Sequence, residues 1–146
     1  MAHVQDDFSL LRNALQKVDF FYNLSFGELD ELIKVLKKRK VKQGEIIIKQ
    51  GEIGDKFYII GSGEVSVHIK KGFGAGKKAA TLSTGDFFGE MALVTDIPRT
   101  ATVIAEEPTE LFVLHKVDFK KILMKNPKIS LIINEAFSKR FADNKK

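Results

Sequence analysis

The sequence predicts an α+β protein in which helices precede and follow an antiparallel β core. Three observations carry this. Apolar residues recur at three- and four-residue spacing through the first forty residues and again after Val117. Between these regions lie short β-rich runs with glycine turns every ~8–12 residues, the pattern of an antiparallel sandwich, barrel or jelly roll. One segment, Gly85 to Val103, interrupts the strand series with a turn of helix, a carboxylate and an arginine.

In order along the chain, Phe8, Leu11, Leu15 and Val18 form the first helical stripe. Ser25 reads as an N-cap, with Glu28 completing a capping box. Behind it Leu29, Leu32, Ile33 and Leu36 make a second stripe, and Lys37 to Lys40 suit the C-terminal end of a helix dipole. The helical region is therefore placed at about 8–38 and the β core at about 39–115. The strand candidates are Val41, Ile46 to Ile48, Phe57 to Ile60, Val65/Val67/Ile69, Ala80/Leu82, Thr102 to Ala105 and Leu111 to Leu114. Gly72-Phe-Gly-Ala-Gly76 reads as a hairpin connection; it lacks the GxxxxGK[ST] spacing of a phosphate-binding loop. Val117-Asp118 opens a helix with Phe119, Ile122 and Leu123. Pro127 opens a last one, with Ile129, Ile132, Ile133, Ala136 and Phe137 toward the core, so the closing helices span about 117–142. No repeat or long linker divides the chain, which predicts a single domain over 1–146.

Composition narrows the function. A chain of 146 residues with 44% hydrophobic residues can bury a proper core. The absence of cysteine excludes disulfides and thiolate metal sites. His3, His68 and His115 are far apart and form no metal-ligand motif, so no metal site and no cofactor are expected. The N-terminal residues lack a basic region followed by an apolar run, and no apolar run approaches the ~18 residues of a membrane span. A soluble, cytoplasmic protein is the expectation. The net charge of +5 favours an anionic ligand. Part of the excess is in Lys145-Lys146 and part in Lys37-Lys-Arg-Lys-Val-Lys42, a run without the interleaved aromatics that stack bases. Direct nucleic-acid binding is not expected. Ser62 stands in Gly-Ser-Gly without a nucleophile elbow or a partner histidine. No catalytic set is evident, so the chain is expected not to be an enzyme.

The interrupting segment has chemistry of its own. Gly89 opens the turn Glu90-Met-Ala-Leu-Val94 and leaves the first N–H groups unobstructed for an anion. Ile97-Pro98 sets the backbone before Arg99, whose guanidinium forks onto phosphate oxygens. Glu90 is the carboxylate of this segment with a strong claim to a site role, and a single such group is better suited to accepting a hydrogen bond from a sugar hydroxyl than to acid–base work. A surface Arg–Glu pair by itself is worth only ~0–1 kcal/mol and does not explain why Gly, Glu, Pro and Arg gather here.

Phe88-Gly-Glu-Met-Ala-Leu93, followed by Pro98-Arg-Thr-Ala-Thr-Val103, closely resembles the phosphate-binding cassette of cyclic-nucleotide-binding domains, including the separation of nine between Glu90 and Arg99. These domains occur in kinase regulatory subunits, cyclic-nucleotide-gated channels and catabolite-activator-type regulators. The likeness extends upstream through Gln43 to Glu52 and Asp55 to Val67, and covers about Phe20 to the last helix. The resemblance implies a jelly-roll (double-stranded β-helix) core with a cassette over 85–103. It implies that Arg99 pairs with the exocyclic phosphate oxygens and that Glu90 accepts from the ribose 2′-hydroxyl. Gly89 and Ala92 would supply backbone contacts, Thr100 a contact to phosphate or base, and Val67 and Ala80 the apolar lining of the base; Met91 and Ala101 complete the cyclic-nucleotide-binding set. The resemblance further implies closure of the C-terminal helices over the base, with Leu93 and Phe119 as the apolar pair that carries the signal. Phe137, Lys139 and Arg140 are the candidates for a base cap. The implied ligand is cAMP, with cGMP the alternative because the Thr100 hydroxyl can meet a guanine amino group. The implied partner, besides the ligand, is a protein effector that the chain does not name. Two other readings keep the fold: an interaction module that has lost its ligand, and the sensor part of a transcription regulator. The intact Glu90/Arg99 pair speaks against the first. No helix-turn-helix pattern follows Phe141 in this sequence, so under the second the DNA-binding domain would be absent from it.

Overall fold

Eight strands pair antiparallel into two four-stranded sheets in the computed structural model of the chain, which describes residues 4–74 and 76–144, with side chains described from 7 to 139. His3, Ala75, Lys145 and Lys146 therefore lie outside the described residues, as does the Arg140 side chain. The strands are β1 (Lys37–Val41), β2 (Ile46–Ile48), β3 (Lys56–Ser62), β4 (Glu64–Ile69), β5 (Lys77–Ser83), β6 (Phe87–Phe88), β7 (Thr102–Ala105) and β8 (Thr109–His115). One sheet has the order β1-β8-β3-β6 and the other β2-β7-β4-β5. The expected β jelly-roll core between helices is the observed architecture.

The residues divide into two compact units, 36–116 and the helical segments 1–35 with 117–146. In the β unit, period-2 alternation sends Val41, Tyr58, Ile60, Phe88, Leu111 and Val113 of one sheet against Ile47, Val65, Val103 and Ala105 of the other. Leu111 is fully buried and sits on β8, which pairs with both β1 and β3.

In the helical unit, α1 (Val4–Gln16) and α2 (Phe26–Ile33) are joined by a paired ion bridge. Arg12 Nε and Nη2 donate to the two carboxylate oxygens of Asp30 at 2.9 and 2.8 Å. Phe20 and Phe21 meet edge to face at 4.8 Å, and Phe21 packs on Phe119 of α3 (Lys116–Lys125) at 5.9 Å. Pro127 opens α4 (Pro127–Asn144), which buries Ile129 and Ile133. The capping box forms: Glu28 N donates to Ser25 Oγ at 3.1 Å, and Ser25 N to Glu28 Oε1 at 2.8 Å. Ser25→Ala is expected to lower stability by about 1 kcal/mol, measured by urea denaturation.

Two expectations need correction. The first helical region does not run to residue 38, because α2 ends at Ile33 and Lys37–Val41 is strand β1. The basic run follows the edge of β8, which β1 covers in register from Lys37↔Val113 to Val41↔Thr109. Lysines suit such an edge, since their charge opposes pairing with a further chain. Arg39 Nη2 also reaches Glu45 Oε2 at 2.9 Å. The second is the strand series itself, which Gly85–Val103 does not wholly interrupt. Phe87–Phe88 pairs with β3 as the short strand β6, placing the start of the segment on the sheet.

Candidate functional site

The interrupting segment is built outward from β6. Tyr58↔Phe88 is a ladder pair whose rings stack at 4.9 Å, so the chain enters the turn from a fixed point. Gly89 then takes φ 80°, a left-handed conformation that glycine adopts without penalty, and N-caps a single 3-10 turn, Glu90–Leu93. Ala92 N donates to Gly89 O at 3.2 Å, and both Thr95 N and Thr95 Oγ1 donate to Met91 O at 2.9 Å. Ala92 and Leu93 are buried and anchor the turn, while Glu90 is half-buried. The returning loop is held by Gly51–Ile53: Arg99 N donates to Glu52 O and Gly51 N to Arg99 O, both at 2.8 Å. Pro98 bridges to Ile53.

These constraints aim the Arg99 side chain. Its Nη2 donates to Lys56 O at 2.8 Å and its Nη1 to Gly89 O at 3.2 Å. Two of the five guanidinium N–H donors thus set its orientation, and a fork remains to recognise an anion. Two glycines make room for it. A Cβ on Gly89 would stand 2.7 Å from Nη1, and one on Gly54 would overlap the guanidinium itself. Burial pulls the Arg99 guanidinium below its ordinary pKa, while Tyr58, Asp55 and Glu90 act in the opposite direction. An arginine keeps its charge through such shifts, so the site presents a partly desolvated cation. The neighbouring Asp55 carboxyl is held below its usual range, chiefly by the hydrogen bond from Lys56 Nζ at 2.9 Å.

Turn and guanidinium face one cavity of about 370 Å³. Its size falls in the ~300–1,000 Å³ range of small-molecule sites. Gly89, Glu90, Met91, Ala92, Arg99, Thr100, Ala101 and Val67 all line it. Ala80 does not. It is the ladder partner of Val67, but it stands exposed on β5, the edge strand of its sheet. Sequence reasoning missed Ile48, Phe87 and Val103, which add apolar wall. It also missed Gly54 and the Lys56 carbonyl, which set the arginine. The Gly54-Asp55 pair reads only as a turn, and a backbone carbonyl leaves no trace in residue identity. The lining thus combines a guanidinium, a carboxylate and the start of a helical turn with apolar side chains. That mixture suits a ligand that carries both an anionic group and an apolar one. Among the described residues, no three of His, Asp and Glu gather as a metal cluster, and no helix is long and apolar enough to cross a membrane.

Comparison with known proteins gives the same picture. The family model described as "Cyclic nucleotide-binding domain" matches residues 38–126. A cAMP-dependent protein kinase regulatory subunit from Yarrowia lipolytica is 43% identical over 108 residues, covering 70% of this chain and 28% of that protein. The cGMP-dependent protein kinase egl-4 of Caenorhabditis elegans is 38% identical over 117 residues, covering 79% of this chain and 15% of the kinase. The chain thus spans under a third of either relative. Among solved structures, the regulatory domain of Toxoplasma gondii PKA with cAMP superposes with a TM-score of 0.69 at 26% identity, covering 95% of this chain and 51% of that one. The family is one of regulatory, ligand-binding domains. With the cassette turn, the caged arginine and the β core in place, this chain belongs to the cyclic nucleotide-binding domain family.

Proposed function

We propose that residues 1–146 act as one sensor module that binds cAMP, with cGMP as the competing ligand, and that binding moves the C-terminal helices α3 and α4. One observation carries the ligand reading: Gly89 to Ala92 of the turn and Arg99 line the same cavity, together with the apolar Val67 and Val103. A cyclic phosphodiester places its charge on exocyclic oxygens that suit the arginine fork. Its ribose offers a hydroxyl to Glu90, and its base suits the apolar wall. The set Gly89, Glu90, Met91, Ala92, Arg99, Thr100, Ala101 and Val67 is proposed as the binding site, without Ala80, which does not line the cavity. The base preference rests on kinship with the Yarrowia regulatory subunit and the cAMP-bound Toxoplasma domain; the Thr100 hydroxyl and the egl-4 kinase keep cGMP as the alternative. Phe119, buried in the helical unit, is the proposed hinge residue.

Calorimetric titration with each nucleotide tests the ligand. Saturable binding at one site per chain, tighter for cAMP, is expected. Affinity weaker than about 1 mM for both nucleotides, roughly 4 kcal/mol of binding, refutes it. Limited proteolysis of α4 with and without nucleotide tests the movement, because a ligand shifts conformers only through differential affinity. Identical cleavage at saturation overturns that part alone.

A further inference from the structure

The β4–β5 hairpin is a feature that the nucleotide site leaves unused at its tip. Between Val65 and Gly85 the chain contains no aspartate or glutamate, and Lys70, Lys71, Lys77 and Lys78 flank the tip on both sides. The ladder pairs Ile69 with Lys77 and His68 with Lys78, so the two lysine pairs stand side by side. All four are exposed. Lys78 Nζ reaches Glu106 at 3.4 Å, an exposed pair that offsets one of the four charges. Phe73, between them, is fully exposed, and a Cβ on either flanking glycine, Gly72 or Gly74, would meet nothing within 4 Å. The tip therefore projects into open solvent. Its root is fixed: Gln50 Nε2 donates to Lys70 O at 2.9 Å, and Lys70 N donates to Gln50 Oε1 at 2.8 Å. Beside the root, Lys49, His68 and Lys70 line a hollow of about 650 Å³ that continues the cationic surface.

A lone phenylalanine at the tip of an anchored hairpin, flanked by lysines on both strands, combines an apolar wedge with positive charge. Single-stranded nucleic acid is held by a basic groove with several aromatic platforms, and this tip offers a single ring, with none in the basic hollow beside it. An anionic bilayer offers what the tip lacks: an apolar boundary for the ring, directly beneath a layer of negative headgroups. We propose that this hairpin docks on an anionic lipid surface, with Phe73 entering the headgroup–acyl boundary and the four lysines meeting the headgroups.

Co-sedimentation of the chain with vesicles tests it, using phosphatidylcholine alone and phosphatidylcholine with phosphatidylserine. The chain is expected to sediment with the second and not the first, and less so as salt rises. Phe73→Ala is expected to lower partitioning about tenfold, and Lys70→Gln with Lys71→Gln about fivefold per lysine. Phe73→Ala should leave nucleotide titration unchanged, which shows that the variant is folded. Absence of phosphatidylserine-dependent sedimentation, or sedimentation indifferent to Phe73, overturns the proposal. So does retention of a single-stranded oligonucleotide with the same Phe73 and lysine dependence and no vesicle binding, which assigns the tip to nucleic acid.

Discussion

Arg99→Ala is expected to weaken cAMP binding by about 2–4 kcal/mol, roughly 30- to 900-fold, in calorimetric titration. The size follows from the environment of the guanidinium. It is partly buried, its direction is set by the Lys56 and Gly89 carbonyls, and its residue lines the cavity. Truncation leaves a phosphate in a partly desolvated site without its counter-charge, which costs more than the loss of an exposed pair. Arg99→Lys keeps the charge but loses the planar fork, so it should recover only part of the affinity. Wild-type affinity in Arg99→Ala would remove the arginine from the binding set.

Gly54→Val is expected to lose nearly as much, about 2 kcal/mol or more, the cost of unseating one partner of a desolvated charge pair, with little change in the urea midpoint. The new Cβ would occupy the space of the Arg99 guanidinium. The side chain must then swing away, giving up its bonds to Lys56 O and Gly89 O and its aim at the cavity. A flexible side-chain end yields more cheaply than backbone, so the fold should survive while the site does not. A double-mutant cycle isolates the cause. In an Arg99→Ala background Gly54→Val should cost almost nothing further, because the group it displaces is gone. Additive losses would show that Gly54 acts by some route other than the arginine.

Much of this arrangement was legible before any coordinates. The capping box of α2 could be read because both partners lie within one turn, and local hydrogen bonds write themselves into local spacing. Strand β7 could be read because its buried residues alternate, and β8 because Leu111–Leu114 is a short continuous apolar run, buried throughout. The run Lys37–Lys40 could not. Its strand state depends on the edge of β8, about seventy residues further on, and lysine says little about which backbone it prefers. β6 is two residues long and exists only because β3 offers partners for it.

By itself, the sequence determined the fold class and the family, through a motif that lies along one continuous segment. It also supplied, by resemblance, the residues proposed to meet a phosphate and a ribose. Only the tertiary structure decided how the arginine is held and which residues share the cavity. Arg99 is aimed by a carbonyl 43 residues away and by the empty space above Gly54. Ala80 is set apart from Val67 although the two face each other across a ladder. Backbone carbonyls, missing side chains and strand register have no letter in the sequence. They take effect only when distant segments close upon each other.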